Sequence, residues 1–97
     1  MGQAFILTTV AVSDPDAFAA YRAAIAGLNE RIGGDMLVRG RTMDVLEGGE
    51  ESGADEVVIV IGFPDADTAR AYIASPDYQA ARPLREAAGR FRIRLVA

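Results

Sequence analysis

Two groups of side chains in this sequence could do chemistry. In the first, Arg39 follows the apolar pair Leu37-Val38, and Glu47 stands eight residues further on. A charge in such company is costly unless it is paired. A guanidinium presents a planar fork to a carboxylate or enolate. A carboxyl group whose pKa is raised by partial burial can act as a general base. Arg39 as anion clamp and Glu47 as base would together suit proton abstraction next to a carbonyl. The structural alternative is a salt bridge between the two near a sheet edge, or Glu47 capping a turn. In the second group Tyr78, Gln79 and Arg85 lie close together. Here the phenol can orient a ligand oxygen and the cation can neutralise it. The competing possibility is a Tyr78 ring that packs, a hydroxyl bonded to backbone, and an Arg85 that caps a helix end. Tyr21 and Tyr72 fall at core positions of helices, from which their hydroxyls can reach the same cleft.

What the chain lacks narrows this further. It has no His, Cys, Trp or Lys, so all ten basic residues are arginine. Nucleophilic schemes built on histidine have no base. Zinc, haem and iron–sulfur centres lack their usual ligands. Schiff-base chemistry and phosphate-binding P-loops lack their lysine. Chemistry therefore falls to carboxylates, tyrosines and arginines, with no cofactor expected.

The 97 residues amount to one domain, 1–97, with a formal charge of −4. A negative chain is repelled by phosphate backbones, so no nucleic-acid partner is expected. The charge is uneven, however. Asp44 to Glu56 holds six acids and no base, while Arg82 to Arg94 holds five arginines against Glu86. Such runs either face solvent or attract one copy to another. The opening MGQAFILTTVAV has no basic segment of a signal peptide, and no apolar run approaches membrane-spanning length. A cytoplasmic protein with no membrane partner is expected.

These residues must be positioned by regular elements. Gln3 to Val12 reads as a strand that ends at Ser13-Asp14-Pro15. Asp14 can cap a following helix, with Pro15 at its first position. In that helix Phe18, Tyr21, Ile25, Leu28 and Ile32 form one apolar stripe up to the stop at Gly33-Gly34. Asp35 to Glu47 reads as a strand, kinked or bulged at Gly40, which would place Arg39 and Glu47 nominally on one face unless the bulge changes the register. Gly48 to Asp55 is a glycine-rich polar turn, and Glu56 to Phe63 a nearly continuous apolar strand. A helix carries Ala69, Tyr72 and Ile73. Ser75-Pro76-Asp77 opens a second helical segment that Pro83 should interrupt and Leu84 to Ala88 resume. Arg90 to Val96 alternates, with Arg90, Arg92 and Arg94 on one face and Phe91, Ile93 and Leu95 on the other.

The order β-α-β-β-α-β is the α+β, ferredoxin-like arrangement, an antiparallel four-stranded sheet with its helices on one face. The other face would expose aliphatic residues such as Val58 and Val60. Leaving them wet is unfavourable by about 25 cal/mol per Å², so a homodimer through that face is expected. An RNA-recognition module shares the order, but it needs stacking aromatics where Val57 to Ile61 is aliphatic. The arginine row is instead expected at the sheet edge, pairing with acids of a neighbouring segment or of the other subunit.

Several matches run through the chain in order: Gly33-Gly34, Leu37-Val38-Arg39-Gly40, Val45-Leu46-Glu47-Gly48, Val57-Val58-Ile59, Phe63-Pro64, Ala69, Tyr72, Ser75, Tyr78-Gln79 and Arg85. In this combination the sequence resembles a small bacterial family, the domain of unknown function numbered 1330, within the dimeric α+β barrel superfamily. One mild departure is Tyr72, at a helix position where the family often has a larger aromatic. The resemblance implies a dimer whose sheets close into a barrel with the helices outside. It implies no reaction. Superfamily relatives include cofactor-free monooxygenases, lactone isomerases and haem-degrading enzymes, and those that use haem or a histidine base fit a chain without histidine poorly. Two functions remain open. One is a cofactor-independent enzyme, or binder, for a small anionic organic molecule, with Arg39, Glu47, Tyr78 and Arg85 lining its cleft. The other is a non-catalytic structural or partner-binding module.

Overall fold

Alternation along the first strand sets the layering. In β1 (Ala4–Val12) the residues Ala4, Ile6, Thr8 and Val10 are buried, while Phe5, Leu7 and Thr9 between them are half-buried. A two-residue period of this kind appears when one sheet face is covered and the other is not. The computed structural model, which describes residues 3–48 and 56–97, provides that cover as helices on one side of a four-stranded antiparallel sheet.

The elements after β1 are α1 (Pro15–Ala24), α2 (Leu28–Arg31), β2 (Asp35–Arg41), β3 (Val57–Phe63), α3 (Ala66–Ala74), α4 (Pro76–Ala88) and β4 (Gly89–Val96). The strand order is β2-β3-β1-β4, which is the ferredoxin-like fold. The core lies between sheet and helices, where Ile6, Val10, Ile61 and Phe63 meet Phe18, Tyr21, Leu28, Tyr72 and Tyr78.

Local signals explain the ends of these elements. The Asp14 carboxylate accepts from the backbone N–H groups of Asp16 and Ala17, with Pro15 at the first helical position. Ser75 serves two helices at once. Its hydroxyl donates to the Tyr72 carbonyl that ends α3 and accepts from the Tyr78 N–H that begins α4. Gly89 follows α4 directly, at a place where a Cβ would collide with the Ala11 backbone.

Four expectations from the sequence need correction. The stripe from Phe18 to Ile32 is not one helix, because α1 stops at Ala24 and Gly27 takes a left-handed φ of 78° before α2 resumes. Glycine adopts that conformation at little cost and is a poor residue for a helix interior. The apolar phase survives the break, since Leu28 is buried and Ile32 half-buried. Second, β2 ends at Arg41 rather than Glu47, and the run from Thr42 to Gly48 is irregular. Third, the bulge lies between Met36 and Val38, not at Gly40, which pairs regularly with Val58. Fourth, Pro83 does not interrupt α4. Proline removes one backbone donor there, and the burial of Tyr78, Ala81 and Ala88 on either side holds the helix together. Apart from Gly48, the glycine-rich turn expected over Gly48–Asp55 lies outside the described residues.

The uncovered sheet face follows from the register. Paired residues share a face. Leu37 and Val38 of β2, Val58 and Val60 of β3, and Phe5, Leu7 and Thr9 of β1 therefore lie together, with Arg90, Arg92 and Arg94 along the β4 edge. No helix among the described residues is long and apolar enough to cross a membrane.

Candidate functional site

Between the covered sheet face and the helices lies a cavity of about 280 Å³. Its floor is Ile6 and Thr8 of β1 with Ile59 and Ile61 of β3. Tyr21 and Ile25 come from α1 and its end, Asn29 from α2, Tyr72 and Ile73 from α3, and Tyr78 from α4, while Arg22, Glu30, Met36 and Arg39 form the rim. A small apolar chamber with a few polar groups is the usual form of a ligand site. The gap between α1 and α2 contributes directly, because Ala26 and Gly27 line the cavity too.

Arg39 reaches this rim because of its register. It pairs with Ile59, so its side chain leaves the sheet on the helix side, and on an edge strand it remains exposed. With Arg22 beside it on the rim, two cations oppose the single Glu30. The mouth therefore favours an anion.

The polar wall of the chamber is a chain of three side chains. The Tyr21 and Tyr78 hydroxyls are hydrogen-bonded at 2.8 Å, and Arg85 Nη1 donates to the Tyr78 hydroxyl in a longer bond of 3.4 Å. A guanidinium can only donate, and one phenolic proton is used between the tyrosines. The other phenolic proton of the pair is therefore left over for a ligand. The Arg85 guanidinium also lies over the rings of Tyr78 and Phe91, at 5.8 and 5.9 Å from their centroids, so its charge is held by aromatic faces. The Tyr72 and Tyr78 rings are in contact, with centroids 5.3 Å apart.

Burial keeps the Tyr21 and Tyr72 phenols neutral. Desolvation raises the Tyr21 pKa well above the ordinary phenol value, and the Tyr78 hydroxyl adds to the shift while Arg85 opposes it. Desolvation, then the neighbouring Tyr78, raises Tyr72 in the same direction. These two are proton donors across the neutral range.

Four of the residues singled out from sequence thus line one cavity: Tyr21, Tyr72, Tyr78 and Arg39. Arg85 touches it through Tyr78 and also lines a wider depression of about 580 Å³ beside β4, with Arg70, Gln79 and Phe91. Glu47 is not brought to Arg39. It is exposed, beyond the end of β2, and the cavity lining does not include it. The ion pairs among the described residues are Arg31–Asp77, Arg70–Asp67 and Arg82–Glu86, so no bridge joins Arg39 to Glu47 there. Gln79 donates to the Ile73 carbonyl at 2.7 Å, a structural role at the α3–α4 corner. Among the described residues no cluster of three or more carboxylates is placed to hold a metal.

Sequence reasoning missed Thr8 and Asn29. Thr8 is the one polar side chain on the buried face of β1, and that break in the series Ala4, Ile6, Thr8, Val10 was the available signal. Asn29 is buried and donates to the Gly34 carbonyl at 3.3 Å. It is the polar neighbour of a core leucine, a pattern too common to flag alone.

A family model described as Domain of unknown function (DUF1330) matches residues 3–97. No curated protein matches. Among solved structures, the RPA0582 protein of unknown function from Rhodopseudomonas palustris is 25% identical with a TM-score of 0.77, over 98% of this chain and 81% of that one. A dimeric ferredoxin-like protein of unknown function from Jannaschia sp. CCS1 is 17% identical with a TM-score of 0.74, over 99% of both chains. SnoaB, a cofactor-independent oxygenase from Streptomyces nogalater, is 16% identical with a TM-score of 0.69, over 100% of this chain and 93% of that one.

Proposed function

The chain belongs to the DUF1330 family, and from that premise we propose that it binds a small anionic organic molecule in the cavity between sheet and helices and acts on it without a cofactor. The observation that carries this reading is the pairing of a cationic rim, Arg39 with Arg22, with a buried phenol chain backed by Arg85. An elongated carboxylate or enolate would place its charge at Arg39, its apolar body against Ile6, Ile59 and Ile61, and a carbonyl oxygen at the Tyr21–Tyr78 pair. There the uncommitted phenolic proton stabilises developing negative charge, and the nearby Arg85 cation supports it. Proton abstraction next to that carbonyl is the reaction class this arrangement suits, with Glu30, the one carboxylate of the cavity lining, as the group that receives the proton. Glu47 has no part in it, since the base expected from sequence stands outside the cavity lining. That SnoaB is a cofactor-independent oxygenase on a similar fold supports chemistry without a cofactor.

We also infer a homodimer through the uncovered face, where Leu7, Val58 and Val60 would otherwise stay partly wet. The alternative of a non-catalytic module has one observation in its favour: Tyr21, Tyr78 and Arg85 already bond to one another.

A thermal-shift screen of aromatic and aliphatic carboxylates, run on wild type and Arg39→Ala, separates the two. Ligand binding gives stabilisation that rises with concentration and falls at least tenfold in apparent affinity in Arg39→Ala. A broad panel with no stabiliser, or one whose hits ignore Arg39, would overturn the binding proposal.

A further inference from the structure

The uncovered face is not uniform, and its charge pattern restricts how two copies can meet. Arg90, Arg92 and Arg94 are exposed along the β4 edge, and none belongs to an ion pair among the described residues. At the opposite edge the irregular run after β2 exposes Met43 and Leu46 at 95% and 87%, interleaved with the exposed acids Asp44 and Glu47. Glu56 stands one step before β3, in the same alternation as Val58 and Val60. The β2 side of the sheet thus leads into an acidic, apolar-bearing run, while the β4 edge is basic on the uncovered face.

Register gives the heights. Val38 is level with Arg94 through Val60 and Leu7, and Gly40 is level with Arg92 through Val58 and Thr9. Thr42, whose N–H donates to the Glu56 carbonyl, is one step further along, at the height of Arg90. Two sheets can pack face to face about a two-fold axis in either of two simple ways. An axis across the strands lays β4 on β4, and two rows of arginines then confront each other. An axis along the strands lays the β2 edge of one copy on the β4 edge of the other and preserves every height.

We propose that the dimer uses the axis along the strands, with Asp44 and Glu56 of each protomer paired with Arg90 and Arg92 of its partner. β3 then lies on β1, so Val58 and Val60 cover Leu7 and Thr9 of the second copy. The side chain missing at Gly40, where an added Cβ would meet nothing within 4 Å, leaves room opposite the partner's Arg92. Like charges facing each other destabilise an interface, and opposite charges select the partner and its orientation. Met43 and Leu46 gain cover from the second sheet in the same step. This inference rests on the dimer reading above, and it fixes the orientation and specificity of that dimer.

Two charge-reversed forms test it: R90E/R92E and D44R/E56R, all at surface positions. Sedimentation at low salt should show each form dimerising at least tenfold more weakly than wild type. An equimolar mixture should recover dimer as the heterodimer, identified by native mass spectrometry. In the cysteine-free chain, G40C/R92C should be cross-linked between subunits by a short bismaleimide that spans the roughly 10 Å between packed sheets, whereas R92C alone should not be. Reversed forms that dimerise like wild type, a mixture with no preference for the heterodimer, or efficient linking of R92C alone would each overturn the proposal while sparing the dimer. A wild type that is monomeric at 100 micromolar would overturn both. Far-UV circular dichroism checks that the variants fold, and the salt dependence of wild-type dimerisation is an independent readout, expected to weaken the dimer as salt rises.

Discussion

Replacing Tyr78 by phenylalanine removes one oxygen from the middle of the three-membered chain and leaves the packing intact. The residue is 1% exposed, and its ring lies against Tyr21, Tyr72 and Arg85. Two bonds are lost, the short one to Tyr21 and the long one from Arg85. A buried donor or acceptor left without a partner costs about 1–3 kcal/mol. Tyr21 lines the cavity and can recover part of that loss from water, so about 1.5 kcal/mol is expected. Tyr21→Phe should cost less, about 0.5–1 kcal/mol, because the Tyr78 hydroxyl keeps Arg85 as a donor. In the double variant no phenol is left stranded, and the coupling energy of the cycle should be about 1 kcal/mol. At 4–8 °C per kcal/mol for a domain of this size, Tyr78→Phe should lower Tm by about 6–12 °C. Urea unfolding at fixed protomer concentration measures all four proteins and keeps any dimerisation constant. A Tyr21→Phe loss larger than that of Tyr78→Phe, or a coupling near zero, would refute the assignment of Tyr78 as the central member.

Alkaline pH gives a second test. Tyr21 and Tyr72 hold their protons more tightly folded than unfolded. Stability is therefore intact below the ordinary phenol pKa near 10 and falls as pH rises above it, by about 2.7 kcal/mol per pH unit for the two together. The absorbance of ionised tyrosine near 295 nm should show these two appearing only as the chain unfolds, and a gradual titration of both in the folded protein would contradict the burial argument. Glycine substitutions give a third. A Cβ on Gly34 would lie 2.6 Å from Phe63 Cε1 and 2.9 Å from Ile61 Cγ2, so Gly34→Ala should cost about 1–3 kcal/mol by overpacking. Gly40→Ala meets open space within its own chain and, measured at protein concentrations where the chain is monomeric, should leave the urea midpoint unchanged or slightly raised.

Much of the fold was legible in the residues because local signals agreed with the global pattern. Asp14-Pro15 and Ser75-Pro76 cap the helices they were expected to cap, and strict alternation in β1 and β4 set which side chains face the helices. The break at Gly27 was hidden because the apolar stripe continues in phase across it. The end of β2 was hidden for a related reason: Val45 and Leu46 look like strand residues, but the described pairing of β2 ends at Arg41, opposite Val57. That misjudged boundary put Glu47 beside Arg39 in sequence logic and apart from it in space. The tyrosines came together because helix spacing placed each on an inward stripe. Thr8 and Asn29, lone polar residues on apolar faces, carried no spacing that marked them.

The chamber also bears on what occupies it before any ligand arrives. Were its 280 Å³ dry, a penalty of about 24 cal/mol per Å³ would remove about 7 kcal/mol, against a total stability of about 5–15 kcal/mol for a domain. Threonine, asparagine and phenol groups in the wall make hydration the cheaper state. Capture is then an exchange of solvent for ligand, and calorimetry should report it as a negative change in heat capacity proportional to the apolar surface that loses contact with water.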